Sequence, residues 1–432
     1  MSFPRYESYK DSGVEWLGEV PEHWELRRLK HNLRLLTEKT DRRENPVALE
    51  NIESWSGRFI PTETTFEGEG VAFEGGDILF GKLRPYLAKA YLAEGSGEAV
   101  GDFHVLRPTT TTQSRFSQYQ ILNREFIAIV DGSTFGAKMP RVSWDFLGNM
   151  VLSAPPVPEQ QTIAAFLDRE TAKIDALIAE QQRLIELLKE KRQAVISHAV
   201  TKGLNPNAPM KDSGIEWLGE VPAHWGLSKL KHAISKIIDN RGRTPEFGDE
   251  GIPMLEVKQI TEGTRYPTNS FEKFVKPQIV EQFERDKVLD GDVLLTTVGA
   301  TAGKAVIVDK NPDYFIAQNV IGLRSVTNVY NIFLYYTIIS DYFFHSLFSI
   351  NKSNTIDNLK VSVFINNFCL VPPIEEQFEI AVFIDNELVK LDALTAEAKN
   401  GIELLKERRT ALISAAVTGK IDVRGFVLSE YQ

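Results

Sequence analysis

"EQQTIAAFLDRETAKIDAL" (residues 159–177) and "EQFEIAVFIDNELVKLDAL" (residues 376–394) are two versions of one segment, 217 positions apart in a chain of 432 residues. Each follows a Pro-Pro step and belongs to a run of about forty residues without an internal proline. Steps of four and three from Ile163 and Ile380 meet apolar residues at seven of ten positions, among them Leu177, Leu184 and Leu394. This spacing is typical of coiled coils. It predicts two long helices that pack on each other through these seams.

A second repeated element precedes each helix. "KDSGVEWLGEVPEHW" (residues 10–24) and "KDSGIEWLGEVPAHW" (residues 211–225) share 13 of 15 residues at an offset of 201. The chain therefore runs twice through the same order: this phrase, a variable block, a Pro-Pro step and a long helix. We interpret the phrase as a join between helix and variable block, and we expect the tail after the second helix to return toward Lys10.

The two variable blocks have diverged in sequence but are predicted to share a mixed α/β fold. "GGDILFGKLRPYLAKAYLA" (residues 75–93) and "DGDVLLTTVGATAGKAVIV" (residues 290–308) each indicate strand, turn and strand after a Gly-Asp pair. The predicted fold class is therefore α+β. It consists of two mixed α/β domains separated by two long helices in an antiparallel coiled coil, arranged as a pseudo-two-fold tandem.

Composition and charge limit the function classes. An apolar fraction of 43%, a single cysteine and no long uninterrupted apolar run favour a soluble, cytoplasmic protein without a membrane anchor. The net charge of −10 argues against nucleic-acid binding, which usually requires a basic face. DNA binding by this chain would require its cations to gather on one side of each variable block.

Signals of catalysis or metal binding are missing from the sequence. It contains no CxxC or HExxH motif, and "TTVGATAGK" (residues 296–304) does not match a phosphate-binding loop because its glycine spacing is one residue short. An enzyme that acts alone is therefore the weakest of the function classes.

The duplicated order of motifs resembles the specificity subunit of type I restriction–modification systems. The resemblance covers nearly the whole chain and rests on "EWLGEVPxHW", on "PPVPEQ" and "PPIEEQ" before each helix, and on "LLKExRxAxIxxAVT" near each helix end. It implies a non-catalytic protein with two target recognition domains, each of which reads one half of a split DNA site. By this resemblance the domains span residues 1–155 and 205–372, the helices residues 156–204 and 373–418, and the returning tail residues 419–432.

The resemblance also implies partners. Two methyltransferase subunits would dock on the frame and carry S-adenosylmethionine, and restriction and translocation subunits would bring ATP and Mg²⁺. No cofactor is expected on this chain. A forty-residue helix is roughly 60 Å long, so we expect the two domains to be held more than about ten base pairs apart on double-stranded DNA and to read a bipartite, asymmetric target.

Polar turn loops supply the candidate DNA-binding residues, because Arg, Lys and Asn read base edges while Ser and Thr contact phosphates and bases. For each of them, an ordinary solvated loop residue is the alternative interpretation. The competing function is a coiled-coil interaction scaffold whose α/β modules bind proteins or other ligands. The candidates are Lys82, Arg84, Tyr86, Ser133, Thr134, Lys138, Arg141, Arg241, Arg243, Thr244, Thr297, Thr301, Lys304, Lys352, Ser353, Asn354 and Thr355.

Overall fold

The computed structural model describes residues 3–41, 44–62, 68–134, 139–241, 245–261, 265–278, 287–308, 314–343, 346 and 359–426. The chain divides into two compact units, one formed by Met1–Gln182 with Lys399–Gln432 and the other by Arg183–Ala398. Each unit contains one variable domain, one copy of the repeated phrase and one half of each long helix. In the part of the chain that is described, no helix is long and apolar enough to cross a bilayer.

The first unit begins with the phrase as a hairpin and continues into the first variable domain, residues 25–154. Its strands are β1 (Tyr9–Asp11), β2 (Glu19–Pro21), β3 (Glu25–Arg28), β4 (Leu33–Leu36), β5 (Lys39–Thr40), β6 (Pro46–Val47), β7 (Gly70–Phe73), β8 (Ile78–Gly81), β9 (Ala90–Leu92), β10 (Gly97–Val100), β11 (Phe103–Pro108) and β12 (Val151–Ala154). Its short helices are α1 (Leu29–Asn32), α2 (Ser114–Ile121), α3 (Arg124–Gly132) and α4 (Trp144–Asn149).

The central sheet of this domain is antiparallel in the order β4-β11-β8-β9. All four residues of β8 are buried, as expected for a strand covered on both faces. A second sheet has the order β5-β7-β10-β6, in which β10 and β6 run parallel. Strand β12 pairs with β3 and so closes the domain beside the point where the long helix begins.

The second unit contains the second variable domain, residues 226–371, which is built on the same plan. The long helix α5 (Val157–Lys202) leads to β13 (Met210–Asp212), β14 (Glu220–Pro222), β15 (Gly226–Lys229), α6 (Leu230–Ala233), β16 (Ile234–Asp239), β17 (Phe247–Gly248), β18 (Ile252–Leu255), α7 (Val257–Thr261), β19 (Phe274–Val275), β20 (Val293–Thr296), β21 (Ala305–Ile307), β22 (Phe315–Ile316), β23 (Val320–Ser325), α8 (Asn331–Ile339), α9 (Val361–Phe364), β24 (Phe368–Val371) and the second long helix α10 (Ile374–Val417). The sheet order β16-β23-β20-β21 repeats that of the first domain.

The two long helices are antiparallel partners within each unit. In the first unit, Ile163 near the start of α5 shares a buried cluster with Leu412 near the end of α10. In the second unit, Ile196 near the end of α5 shares a cluster with Ile384 near the start of α10. The predicted α+β tandem with an antiparallel pair of long helices is confirmed.

Duplicated ion pairs accompany this packing. The Arg409 Nε of α10 donates to Asp175 Oδ1 of α5 at 2.9 Å in the first unit. The Arg192 guanidinium of α5 donates to Asp392 of α10 in the second unit. Because both residue pairs are related by the offset of 217, the two helices have exchanged roles between the units.

The predicted apolar seam is wrong at three positions. Leu177, Leu184 and Leu394 are 51%, 41% and 48% exposed. The buried side of α5 instead includes Ile185, with Ile178 partly buried against the first unit's core. An isoleucine directly follows the leucine at Leu177 and at Leu184. Either residue fits a helical apolar stripe, so periodicity alone does not decide which of the two is buried.

Candidate nucleic-acid interface

A buried arginine–aspartate pair fixes the central sheet of each variable domain. Arg107 of β11 donates from Nε and Nη2 to Asp77 at 2.8 and 2.7 Å, and Arg324 of β23 makes the same two bonds to Asp292 at 2.9 and 2.8 Å. Hydrogen bonding to Asp77 raises the pKa of Arg107. Two parallel hydrogen bonds give such pairs a fixed geometry. The turns at the far ends of β8 and β20 are therefore carried by equivalent scaffolds.

In the first domain, β8 leads into the predicted loop at Lys82, Arg84 and Tyr86. The loop forms a 3₁₀ turn, Pro85–Leu87, whose proline is buried while Tyr86 is 46% exposed. The backbone N–H of Arg84 donates to the carbonyl of Pro140 at 2.9 Å. Leu83 forms an isolated antiparallel bridge with Arg141. The structure therefore brings two segments that are distant in sequence to the same end of the sheet.

These residues and one carboxylate form what we call the cationic loop cluster: Lys82, Arg84, Tyr86, Asp102 and Arg141. Arg141 Nη2 donates to Asp102 Oδ2 at 2.9 Å, and Lys82 Nζ lies 3.7 Å from Asp102 Oδ1. The Arg84 side chain is exposed and has no hydrogen bond or ion pair with the described residues. Three cations against one carboxylate leave a net positive, solvent-facing group, although the domain as a whole is not basic.

The hydroxyls predicted in the next loop are used locally. Ser133 Oγ donates to the carbonyl of Val130 and Thr134 Oγ1 to that of Asp131, both at 2.7 Å. These bonds satisfy carbonyl groups at the end of α3. Both side chains are half-buried. Lys138 lies outside the described residues.

In the second domain, the loop that follows β20 corresponds to the loop at Lys82, Arg84 and Tyr86 and carries little charge. Thr297 is 1% exposed, and its hydroxyl donates to the carbonyl of Asn319 at 3.2 Å. This threonine therefore holds the loop in place and offers no surface to a ligand. Thr301 lies at the end of a 3₁₀ turn, Gly299–Thr301, and is half-buried. Lys304 is exposed and makes no ion pair with the described residues.

Arg241, predicted in the loop after β16, is already paired. Its guanidinium donates to both oxygens of Asp239, with Nε 2.9 Å from each, and these bonds raise the pKa of Arg241. A ligand would have to compete with this carboxylate. The remaining candidates lie outside the described residues: Arg243, Thr244, Lys352, Ser353, Asn354 and Thr355.

Two members of the first site were not predicted from the sequence. Asp102, which pairs with Lys82 and Arg141, lies 39 positions before Arg141, and no local pattern joins the two. Met139 is 58% exposed beside the same loop. Its only signal was its place in the loop of residues 131–141, since an apolar side chain is not counted as a DNA contact by residue type alone.

The repeated phrase joins the start of one long helix to the end of the other. The Trp24 indole N–H donates to Glu159 at 3.1 Å, and the Trp225 indole N–H donates to Glu376 at 3.0 Å. Both carboxylates lie at the N-terminal end of a long helix, where the helix dipole favours negative charge. The neighbouring His23 Nε2 lies 2.8 Å from Glu159 Oε2.

The helix ends contribute a glycine to each join. Gly203 and Gly419 follow the two long helices with φ of 72° and 76°, the left-handed conformation common after a helix. A Cβ at Gly419 would lie 3.0 Å from the Trp24 ring. The tail continues beside the first phrase, where Tyr9 Oη donates to the Gly419 carbonyl at 3.1 Å.

Comparison with known proteins gives one consistent family. Residues 225–404 match the family model for the type I restriction modification DNA specificity domain. The chain is 25% identical over 304 residues to the EcoBI specificity subunit of Escherichia coli, a match that spans 68% of this chain and 64% of that relative. It is 24% identical to the putative MjaX specificity subunit of Methanocaldococcus jannaschii, over 98% of this chain and 99% of the relative.

Solved structures share the fold. A chain from a study of complex assembly and conformational transition in the type I R-M system covers 92% of this chain at a TM-score of 0.71 and 19% identity, over 98% of its own length. The HsdS subunit from Thermoanaerobacter tengcongensis covers 93% at a TM-score of 0.51 and 18% identity, over 98% of its own length. Together with the duplicated frame, the sequence matches confirm the predicted resemblance: over most of its length the chain is similar to specificity subunits of type I restriction–modification systems.

Proposed function

We propose that this chain is the non-catalytic DNA-reading subunit of a type I restriction–modification complex, and that it reads a bipartite, asymmetric site with one half per variable domain. The observation that carries this proposal is the contrast within the duplication. The scaffolds of the two domains repeat down to the buried arginine–aspartate pair, whereas the exposed loops at the same end of each sheet differ in charge and shape.

The cationic loop cluster supports contact with DNA. Lys82 and Arg141 can approach phosphates, and Arg84 can reach a base edge from a loop end. Tyr86 adds an exposed aromatic side chain with a hydroxyl. Since the whole chain carries a net charge of −10, we expect most of the phosphate affinity to come from partner subunits and the isolated chain to bind DNA weakly.

The partners in this proposal are two methyltransferase subunits together with restriction and translocation subunits. S-adenosylmethionine, ATP and Mg²⁺ would be bound by those partners. The names of the relatives, all specificity subunits of type I restriction enzymes, support this assignment. A complex of this kind would act on chromosomal and incoming DNA in the cytoplasm.

Footprinting of the chain together with its methyltransferase subunit tests the proposal. We expect two protected half-sites of different sequence, separated by an unprotected interval. One contiguous footprint, or no footprint even with the partner present, would contradict DNA reading by two domains. Unchanged methylation targets after exchange of residues 82–88 with residues 297–303 would favour the interaction-scaffold function instead.

A further inference from the structure

Backbone conformation distinguishes one residue of the cationic loop cluster. Among the described residues other than glycine, Trp55, Arg84 and Ala88 have positive φ, at 66°, 51° and 48°. The left-handed region is unfavourable for residues that carry a Cβ, so such residues need a compensating reason.

The core explains two of the three. Ala88 is fully buried, and its methyl group lies in the main hydrophobic cluster of the first domain. Trp55 packs against the same cluster, and its backbone N–H donates to the carbonyl of Ala88 at 3.1 Å. Arg84 has neither explanation, because its side chain is exposed and makes no hydrogen bond or ion pair with the described residues.

The second domain shows that the fold does not require a side chain at this position. Strand pairing aligns Ile78 of β8 with Val293 of β20, since these residues face Leu106 of β11 and Leu323 of β23. The alignment continues without a gap to the next strand, where Ile78 faces Leu92 and Val293 faces Ile307. At this constant offset the counterparts of Arg84 and Ala88 are Gly299 and Gly303.

Both counterparts also have positive φ, 77° at Gly299 and 93° at Gly303. The second domain thus builds the same turn with the residue that adopts this conformation most easily. The first domain places an arginine there instead, and its backbone is fixed on both sides by bonds from Arg84 N to Pro140 O at 2.9 Å and from Leu87 N to Arg84 O at 3.0 Å. The Cα–Cβ bond of Arg84 therefore leaves a hydrogen-bonded turn in a fixed direction.

We propose that Arg84 is a specificity-determining residue that reads a guanine in the half-site bound by the first domain, an inference that rests on the proposed function. The planar guanidinium makes two parallel hydrogen bonds to O6 and N7 of guanine, the most common specific contact in the major groove. Lys82 and Arg141 share Asp102 and are suited to phosphates, whereas Arg84 has no carboxylate partner among the residues that the structure describes.

The test uses the full chain with its methyltransferase subunits, a randomised double-stranded DNA library and sequencing of the bound fraction. For Arg84→Gly we expect preference for guanine at one position, in one half of the motif, to fall by roughly 5- to 150-fold. The other positions stay unchanged. Its melting temperature should equal or exceed that of the wild type, because glycine is the residue that the second domain uses at this position.

Two further variants separate base reading from other roles. Arg84→Lys keeps the charge but not the planar fork, so it should lose the same guanine preference while it retains overall affinity. Ala88→Gly makes the same backbone change in the same turn and should leave the motif intact.

Several outcomes would overturn the proposal. These are an unchanged motif for Arg84→Gly, a uniform loss of affinity that Arg84→Lys restores, or a shift of the motif by Ala88→Gly equal to that of Arg84→Gly. If the wild-type complex selects no bipartite motif, the proposed function itself fails, and that result is distinct from each of the others.

Discussion

The two variable domains differ most in their exposed loops and least in the internal contacts that stabilise each of them. Each has the same strand order in its central sheet, the same arginine pair with a buried aspartate and the same tryptophan–glutamate bond to a long helix. The loop after β8 contains Lys82, Arg84 and Tyr86 in the first domain, whereas the equivalent positions after β20 in the second domain are Thr297, Gly299 and Thr301. Buried contacts between specific partners restrict substitution, whereas a loop anchored at both ends can change its chemistry freely.

The tryptophans of the repeated phrase provide the strongest test of the shared frame. Trp24 and Trp225 are 0% and 1% exposed, so replacement by alanine should cost about 3–5 kcal/mol in each unit. Denaturant titration followed by hydrogen exchange of each unit would measure this loss. Trp24→Phe keeps most of the ring and should cost less. If only one of the two alanine variants is destabilised, the frames are not equivalent.

The arginine–aspartate pairs offer a second test of equivalence. Asp77→Asn and Asp292→Asn should each lower the free energy of unfolding by about 1.5–3 kcal/mol, because a partly buried guanidinium loses two hydrogen bonds to a buried carboxylate. The effect should be similar in both units. Asp249→Asn is a matched control, since Asp249 is exposed and unpaired among the described residues; a comparable loss there would argue against a special role for the pairs.

Exchange of the residues at the turn sharpens the contrast between the loops. Gly299→Arg should destabilise the second unit by about 1–2 kcal/mol, because the new side chain must adopt a left-handed backbone. A Cβ at Gly299 would have no atom within 4 Å, so a clash would not contribute. Thermal denaturation measures the change. Val298→Arg adds the same charge next to it at φ −135° and should cost less; equal losses would assign the effect to charge.

The smallest expected difference is a pH dependence confined to the first unit. His104 is 8% exposed, and burial, followed by a smaller effect of Lys82, lowers its pKa, while its bond to the Val142 carbonyl acts in the opposite direction. At pH values below the ordinary histidine pKa of about 6.5, His104 binds a proton more readily in the unfolded chain than in the folded chain. Stability should therefore fall as the pH decreases through this range.

The counterpart of His104 in the second domain is Ile321, which does not titrate; the strand register that equates β8 with β20 also equates these residues. Melting temperatures at about pH 7.5 and 5.5 would test the difference. His104→Gln should reduce the loss of stability on acidification. Equal pH dependence in the variant and the wild type would exclude this histidine as the cause.

Repetition and periodicity made the frame predictable, whereas long-range contacts made much of the site unpredictable. The long helices followed from proline-free periodic segments that occur twice. The seam was wrong at Leu177 and Leu184 because an isoleucine follows each of them. The pairing of Arg107 with Asp77, 30 residues apart on neighbouring strands, required the strand register.

The loops illustrate the same limit. Lys82 and Arg141 were both predicted, but their meeting at Asp102 depends on the bridge between Leu83 and Arg141. Thr297 was chosen for its hydroxyl, yet the end of β20 places it inside the domain. Residue type indicates which chemistry a loop can offer, and only the fold determines which side chains face outward.

Asp102 has a consequence for discrimination between ligands. Its carboxylate pairs with Lys82 and Arg141 when no ligand is bound. An approaching phosphate would therefore have to compete with this carboxylate for the two cations. Under the proposed function, a random duplex would have to displace this internal anion without compensation from base contacts, whereas a matching sequence would gain those contacts at the same time. The acidic residue would lower both affinities by a similar factor, so that binding to random DNA, which lacks the base contacts, would be the first to fall below significant occupancy.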